Sequence, residues 1–303
     1  MITIREQLNR GALVCPRTRK KLTQKGSSLV SDDGTAYALT ADDVPILLID
    51  PAEALKYSRE SANMSREYSA EAVEKKSSLS QRLKAFLSKD YRTKASREAF
   101  DQAIASASDD ALCLSIGGGP DRPHPKLVNL NIGPFPNVDI VADAHQLPYA
   151  DNSTDAIYCE AVLEHLENPV KAVEEMFRVL KPGGKIIAIT PFLQAFHGYP
   201  NHFQNFTVIG HSRLFSRSGF HVVESGTCVG PMVTLMDLGH VFLCCYLPKF
   251  IGVPCRIVWK LLGSVLVPMG AFLANSPYGY VMASTTYVLA NKPISATLSA
   301  SSR

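Results

Sequence analysis

The stretch "LCLSIGGGPDRPHPKLVNLNI", Leu112 to Ile132, carries the reading of the fold. Two apolar runs of strand length flank the triplet Gly117, Gly118, Gly119 and a set of turn residues. Short apolar runs bounded by Gly and Pro are read as buried strands. Glycine at a strand end either makes a tight turn or lets another group come close to the backbone. Between Ile116 and Lys126 there is no space for a full crossover helix, so this loop is expected to lack the helix N-terminus that usually follows it.

Outward from this stretch the pattern repeats. "VDIVADA" is a third strand ending at Asp143, "DAIYCEA" a fourth and "GKIIAITP" a fifth. Between the last two, "NPVKAVEEMFRVLKPGG" reads as a helix. Asn168 caps it, Pro169 takes the first helical position, and Val173, Met176, Phe177 and Leu180 form its inner stripe. Gly183 and Gly184 are expected to stop it. A helix follows Thr207 through "HSRLFSRSGF", then a sixth strand, "HVVESGTC", and a last one within Tyr280–Lys292. Alternating strands and helices imply an α/β fold with a mostly parallel sheet. The links "GPFPN" and "HQLPYADNST" are also too short for long helices, which leaves one sheet face bare. An uncovered parallel sheet is rare. The helix-prone segment from about Ser65 to Ala107, with Leu79, Leu83, Phe86 and Leu87 at helical spacing, or a partner chain, is expected to cover it.

Composition narrows the class. The 303 residues are 46% hydrophobic and 19% charged, with a net charge of +3, so bulk charge gives no reason to expect nucleic acid as a partner. The basic runs at Arg17–Lys21 and between Lys56 and Arg97 read as solvated faces. The 7 cysteines lie in apolar segments and read as buried, reduced thiols. Cys15 has no second cysteine at ribbon spacing, so no metal is expected there. Met1–Val14 lacks the apolar core of a signal peptide, and a cytoplasmic location is expected.

"SIGGGP", "NLNI", "DAHQLPYADNSTDAIYCEAVLEHLENP" and "RVLKPGGKIIAITPF", in this order and spacing, resemble class I S-adenosylmethionine-dependent methyltransferases of the type 11 group, over about residues 110–225. "PFLQAFHGYPNHFQNFT" further resembles a bacterial subgroup with PF-x-Q-x-x-HGYP-x-D-x-x-RFT at this point. The resemblance implies a Rossmann-like sheet with an antiparallel last strand, and S-adenosylmethionine as cofactor. It makes Gly117, Gly118 and Gly119 the cofactor loop, with Gly117 and Gly119 admitting the methionine part. Asn131 stands where the family usually has an acidic residue on the ribose hydroxyls; an amide keeps one donor and one acceptor for them but loses the charge-assisted bond. Asp143 matches the carboxylate that accepts from the adenine amino group, with the backbone of Ala144 beside it. Glu160 and Ala161 open the loop where methyl donor and acceptor meet. Ser115 and Asp121 depart from the family's acidic residue and third glycine. Without a helix N-terminus at the loop, a basic partner such as Arg92 or Arg97 is expected for the methionine carboxylate.

Methyl transfer from a sulfonium needs alignment first, and a base only for acceptors such as hydroxyls. His197, Tyr199 and His202 follow the fifth strand and are the candidate catalytic residues, with His197 either a base or acceptor-orienting group or a structural histidine that locks the loop. Asp155 reads as a strand-entry residue, His165 as a structural hydrogen-bonder, and Arg178 and Lys181 as part of a solvated helix face. Two functions stay open: a methyltransferase acting on a small-molecule, lipid-linked or glycan acceptor, and a non-catalytic binding or scaffold protein on the same fold, which Ser115, Asp121 and Asn131 favour.

The expected organisation is a small β-rich unit over 1–50, a helical linker or cover over 51–108, the core over 109–230, an apolar helical insertion over 231–279, a final core strand over 280–292 and a disordered tail over 293–303. The hairpin "SSLVSDDGTAYAL" and the closing strand "VPILLI" define the first unit, which resembles the zinc-ribbon-like partner of methyltransferases without its cysteines. Pro231–Asn275 holds only Asp237, Lys249, Arg256 and Lys260 as charged residues, and its prolines and cations interrupt any full span. It reads either as membrane-surface helices with Trp259 and Lys260 at headgroup level, or as packing within the fold or against a second copy of the chain.

Overall fold

The computed structural model describes residues 1–50, 91–119, 122–197, 201–267 and 270–294. In chain order the strands are β1 (Leu22–Lys25), β2 (Ser28–Ser31), β3 (Ala36–Ala38), β4 (Ile46–Leu47), β5 (Cys113–Ile116), β6 (Leu127–Asn131), β7 (Ile140–Ala142), β8 (Thr154–Glu160), β9 (Leu180–Pro191), β10 (His221–Val229) and β11 (Thr285–Asn291). Eight of them form one sheet in the order β10-β11-β9-β8-β5-β6-β7-β4. Pairing is parallel from β4 through to β9, and β11 alone runs antiparallel, between β9 and β10. This is a Rossmann-like, mostly parallel sheet with its last strand reversed. No helix separates β5, β6, β7 and β8 among the described residues.

The strands alternate cleanly between two buried faces. Leu114, Ile116, Val128, Leu130, Ile157, Ile186 and Val288 point to one, and Cys113, Leu127, Tyr158, Ile187 and Leu289 to the other. The second face is covered by α2 (Lys94–Phe100), which runs on as a wider helical turn to Ala105 and buries Ala99, Ala103 and Ile104 there. That is the expected cover; Ser65 to Asp90, with Leu79, Leu83, Phe86 and Leu87, lies outside the described residues.

The first face has a cover that the sequence reading foresaw only in part. Helix α3 (Pro169–Val179) packs on β9 and α4 (Val208–Arg217) on β10 and β11, as the predicted helices should, and residues 1–50 unexpectedly cover the part left bare by the short links. Helix α1 (Ile4–Asn9), started by a reciprocal cap between Thr3 and Glu6, places Leu8 in the same core as Leu13, Leu22, Leu29 and Leu47. Val14 N–H donates to Pro148 O and Ala150 N–H to Ala12 O, both at 2.9 Å, and buried Tyr149 donates to Gln7 Oε1 at 2.8 Å. The antiparallel set β1-β2-β3 contains the expected hairpin. The closing strand is shorter than expected and pairs with β7 of the main sheet instead of with the small one. Cys15 lies 3.1 Å from the Tyr37 hydroxyl.

Three further expectations change. Helix α3 starts at the Asn168 cap but ends at Val179; Gly183 and Gly184 lie inside β9, where a side chain on Gly184 would meet Asp155 O at 2.9 Å. Arg178 is not on a solvated face: its guanidinium holds Leu147 O, Tyr149 O, Glu175 and Asp151 at 2.6–3.0 Å. The cysteines are not all buried, since Cys244 and Cys245 are exposed. Asp155 does stand at a strand entry, accepting Leu112 N–H and meeting Lys181 Nζ at 2.6 Å.

Between β10 and β11 lies the apolar unit: α5 (Pro231–Cys245), α6 (Lys249–Leu266) and the short α7 (Gly270–Ala274). Trp259 faces inward, donating its indole N–H to Met236 O at 2.9 Å and packing where Gly239 leaves room. Phe242, Tyr246, Phe250, Ile257, Leu261 and Phe272 are exposed instead. Among the described residues no helix is long and apolar enough to cross a membrane.

His211 of α4 is fully buried, with Nδ1 3.1 Å from Thr286 Oγ1 and Nε2 unpartnered among the described residues. Burial lowers this imidazole from its ordinary 6.5 to about 3. The unfolded chain takes up a proton that the folded chain refuses. The resulting stability is complete above about pH 6.5 and is lost as pH falls through about 3, a swing of roughly 5 kcal/mol at most. Thermal denaturation from about pH 7 to about pH 4 checks this: the midpoint of wild type should fall more steeply than that of His211→Gln, and parallel curves would remove the assignment.

Candidate active site

The site is built at the carboxyl edge of the parallel strands, where open α/β sheets bind ligands. Ile116 pairs with Leu130, and Asn131 pairs with Val141, so Gly117, Asn131 and Asp143 follow the tips of three adjacent strands. Gly117 N–H donates to Leu130 O at 2.8 Å, closing the turn at φ +70°. A side chain on Gly117 would lie 2.1 Å from Val162 Cγ2, and one on Gly118 would lie 1.9 Å from Asn129 Oδ1. Both glycines therefore make room for protein atoms. Gly119 differs: among the described residues a Cβ there would meet nothing within 4 Å, so its outer side is open to them.

Two amides hold this loop. Asn131 Nδ2 donates to Gly118 O at 3.0 Å, and its Oδ1 accepts from Gly133 N at 3.2 Å. Buried Asn129 Nδ2 donates to Gly119 O and Asn137 O, each at 3.0 Å. Asn129 is in turn fixed by Asp139, which accepts its N–H at 2.7 Å and pairs with Arg122. Asn129 was missed in the sequence because a polar residue inside a strand reads as a solvent-facing position. Asn131 still has one N–H and one lone pair uncommitted to these two bonds, so it retains the capacity to meet a pair of hydroxyls. Ser115 Oγ, beneath Gly118, is buried without a partner among the described residues.

Asp143 Oδ1 accepts from His145 N at 2.9 Å and meets His145 Nδ1 at 2.8 Å. Burial pushes this carboxyl up, but the two His145 bonds outweigh it and hold it below the ordinary carboxylate value, so it is an ionised acceptor. Asp143, with Gln146, also lines a cavity of about 220 Å³ against Leu47, Leu48, Ile49 and Asp50, which brings the first fifty residues to the edge of the site. Ala144 follows directly. Open space at Gly119, an amide with spare capacity and an ionised acceptor on the next strand fit a nucleoside-bearing ligand.

Glu160 ends β8 and is clasped by Arg92, with both carboxylate oxygens at 2.7–2.8 Å from Nη2; the Tyr158 hydroxyl donates to the same group. Of the two basic residues expected to meet a methionine carboxylate, Arg92 and Arg97, the first is thus committed to Glu160. The next residue, Ala161, takes the left-handed φ of +53° that is unusual outside glycine. The turn after it, Leu163–His165, carries Glu164, fully buried with neither oxygen hydrogen-bonded among the described residues. Burial, with a small contribution from Glu160, raises this carboxyl to about 8. His165 and His197 stand beside it, with Nε2 atoms at 3.7 and 4.0 Å from Glu164 Oε1. Burial lowers the His165 imidazole, keeping it neutral. His202 does not face Glu164. Its Nδ1 accepts from His197 N at 3.2 Å and its Nε2 donates to Asn205 Oδ1 at 2.6 Å, so it braces His197. Tyr199 lies outside the described residues. Glu164 was missed because a Glu next to a His in a loop gives no sign of being desolvated.

A larger cavity, about 720 Å³, opens beside β10 and β11, lined among others by Phe192, Ile209, Ala274, Tyr280, Val281 and Tyr287.

Residues 124–188 match the family described as a methyltransferase domain. The matched stretch runs from the loop before β6 into β9. Demethylmenaquinone methyltransferase of Renibacterium salmoninarum is 49% identical over 53 residues, 17% of this chain and 22% of that enzyme. The ubiquinone/menaquinone biosynthesis C-methyltransferase UbiE of Klebsiella pneumoniae is 39% identical over 80 residues, 24% and 32% of the two chains. The chain thus spans less than a third of the length of these curated relatives. Among solved structures, the [4+2]-cyclase SpnF aligns over 66% of this chain and 81% of its own, at 18% identity and a TM-score of 0.42. Haemonchus contortus phosphoethanolamine N-methyltransferase 2, in complex with S-adenosyl-L-methionine, aligns over 66% and 52%, at 14% identity and a TM-score of 0.40.

Proposed function

We propose that this chain is an S-adenosylmethionine-dependent methyltransferase whose acceptor is a small molecule with a lipid-like, apolar portion. The observation that carries the cofactor reading is the side-by-side placement of the open Gly119 loop, Asn131 and ionised Asp143 on three adjacent strand tips. When bound, S-adenosylmethionine supplies a methyl group already activated by a sulfonium. The chain's own task is then to bind, orient and exclude water. Asp143 would accept from the adenine amino group and the spare donor and acceptor of Asn131 would meet the ribose. His197 Nε2 offers the proton acceptor at the mouth for an acceptor that must lose a proton. In that reading His197 is the base, and Glu160, held by Arg92, orders the loop between cofactor and acceptor.

The lipid-like acceptor is supported by the apolar walls of the cavity beside β10 and β11, which α7 helps to line, and by relatives named for quinone methylation. The exposed apolar residues of α5–α7 accompany Lys249, Arg256 and Lys260 against a lone Asp237. This combination matches an anionic membrane surface. A non-catalytic binding role draws on one observation, the engagement of Asn131 with the loop itself.

Calorimetry with S-adenosylhomocysteine separates the two. The enzyme reading expects binding that Asp143→Ala weakens by about tenfold or more, the loss of one charge-assisted hydrogen bond; no heat at millimolar nucleoside would leave the binding-protein reading. Flotation with phosphatidylglycerol vesicles tests the membrane contact. Wild type should float and the double variant Phe250→Ser, Phe272→Ser should not. Equal flotation, or none together with self-association in the ultracentrifuge, would place the patch elsewhere or against a second copy.

A further inference from the structure

We propose that Glu164, His165 and His197 form a binding site for one zinc-class divalent cation. The inference does not depend on the methyl-transfer reading, because ion binding is measured without any methyl donor; a bound ion would take the His197 Nε2 lone pair, so His197 would then orient the acceptor and not serve as its base.

The first observation is the pattern of donors. His165 Nδ1 meets Asn201 O at 2.5 Å, and His197 Nδ1 meets Ala195 O at 3.0 Å. A carbonyl only accepts, so both rings carry their proton on Nδ1 and present the Nε2 lone pair. Those lone pairs stand 3.7 and 4.0 Å from Glu164 Oε1, and the ligand atoms of all three residues lie within 4.8 Å of one another. Three acceptors converge with no donor among the described residues. A histidine held through its other nitrogen by a backbone carbonyl is the usual support of a metal ligand.

The second observation is Glu164 itself. Its side chain is 1% exposed and neither oxygen has a partner among the described residues. A buried carboxylate without a donor is costly unless a cation completes it. In a tetrahedral zinc site neighbouring ligand atoms stand about 3.3 Å apart, so the separations in this set would have to shorten by about 0.4 Å to at most about 1.5 Å, within the reach of side-chain rotation. Two imidazoles and a carboxylate suit zinc or a related borderline ion better than magnesium or calcium.

The third is that the corner is held without an ion. Phe203 N–H donates to Glu164 O at 2.8 Å, and Gln204 Nε2 donates to Leu166 O at 2.9 Å, strapping the segment after β9 onto the turn that carries Glu164 and His165. His202 fixes His197 from behind. His197 is partly exposed, its side chain 42% accessible, which leaves a fourth position for water or an acceptor oxygen, the arrangement of a reactive site and not of a closed structural one.

The test is zinc titration of the chelator-stripped full chain by calorimetry, with cobalt as the optical probe. One zinc per chain is expected, with affinity falling about a hundredfold or more in Glu164→Gln and in His165→Gln. The wild-type cobalt spectrum should show ligand-field bands without thiolate charge transfer. No zinc uptake would mean that a proton, not an ion, satisfies Glu164. Undiminished affinity in both variants, or a thiolate band pointing to exposed Cys244 and Cys245, would equally overturn the site. If either variant fails to fold by circular dichroism, the wild-type cobalt spectrum alone decides between these residues and the cysteines.

Discussion

A parallel sheet must be buried on both faces, and in this chain the first half of the sheet has no crossover helices with which to do it. The links from β5 to β8 are too short. The first fifty residues take over: their small sheet, α1 and the buried Tyr149–Gln7 bond cover one face, while α2 covers the other. The substitution has a consequence for the site. Because β4 joins the sheet beyond β7, the chain around Leu48 to Asp50 forms a wall next to Asp143. The edge of the nucleoside position is thus shaped by a segment that, by its hairpin pattern, reads as a separate module.

Without a helix N-terminus to receive it, the glycine loop is held by side chains. Asn129 and Asn131 each donate to a loop carbonyl, and the Arg122–Asp139 pair sets Asn129. Fixing carbonyls with amides turns their oxygens inward and leaves the open side at Gly119. The same economy governs the opposite side of the cleft, where Arg92 locks Glu160 and where the turn after it carries a carboxylate and two imidazoles facing one another.

Much of the sheet was legible because alternation and turn residues are local signals. "ALCLSI", "KLVNLNI", "VDIVADA", "DAIYCEA" and "GKIIAITP" are all strands, and the Asn168–Pro169 start of α3 follows from cap chemistry. The neighbouring strand tips at Gly117, Asn131 and Asp143 could be placed from strand order alone. What could not be read depends on contacts distant in sequence. Gly183 and Gly184 look like a helix stop, yet they lie in β9 because the chain passes close over Asp155 there. Arg178 looks solvated, yet it knits Leu147, Tyr149, Asp151 and Glu175 together. Trp259 looks like a surface anchor, yet its indole joins α6 to α5. Asn129 and Glu164 reveal themselves only through burial and through which atoms lack partners.

The central claim is that the tips of β5, β6 and β7 together hold an adenosine-bearing ligand. A crystal of the chain grown with S-adenosylhomocysteine tests it most directly. The expected density places the adenine amino group within hydrogen-bond distance of Asp143 and the ribose at Asn131, with the thioether side reaching past Gly119. Density for the nucleoside in the cavity between β10 and α7, or a ribose with no contact to Asn131, would contradict it.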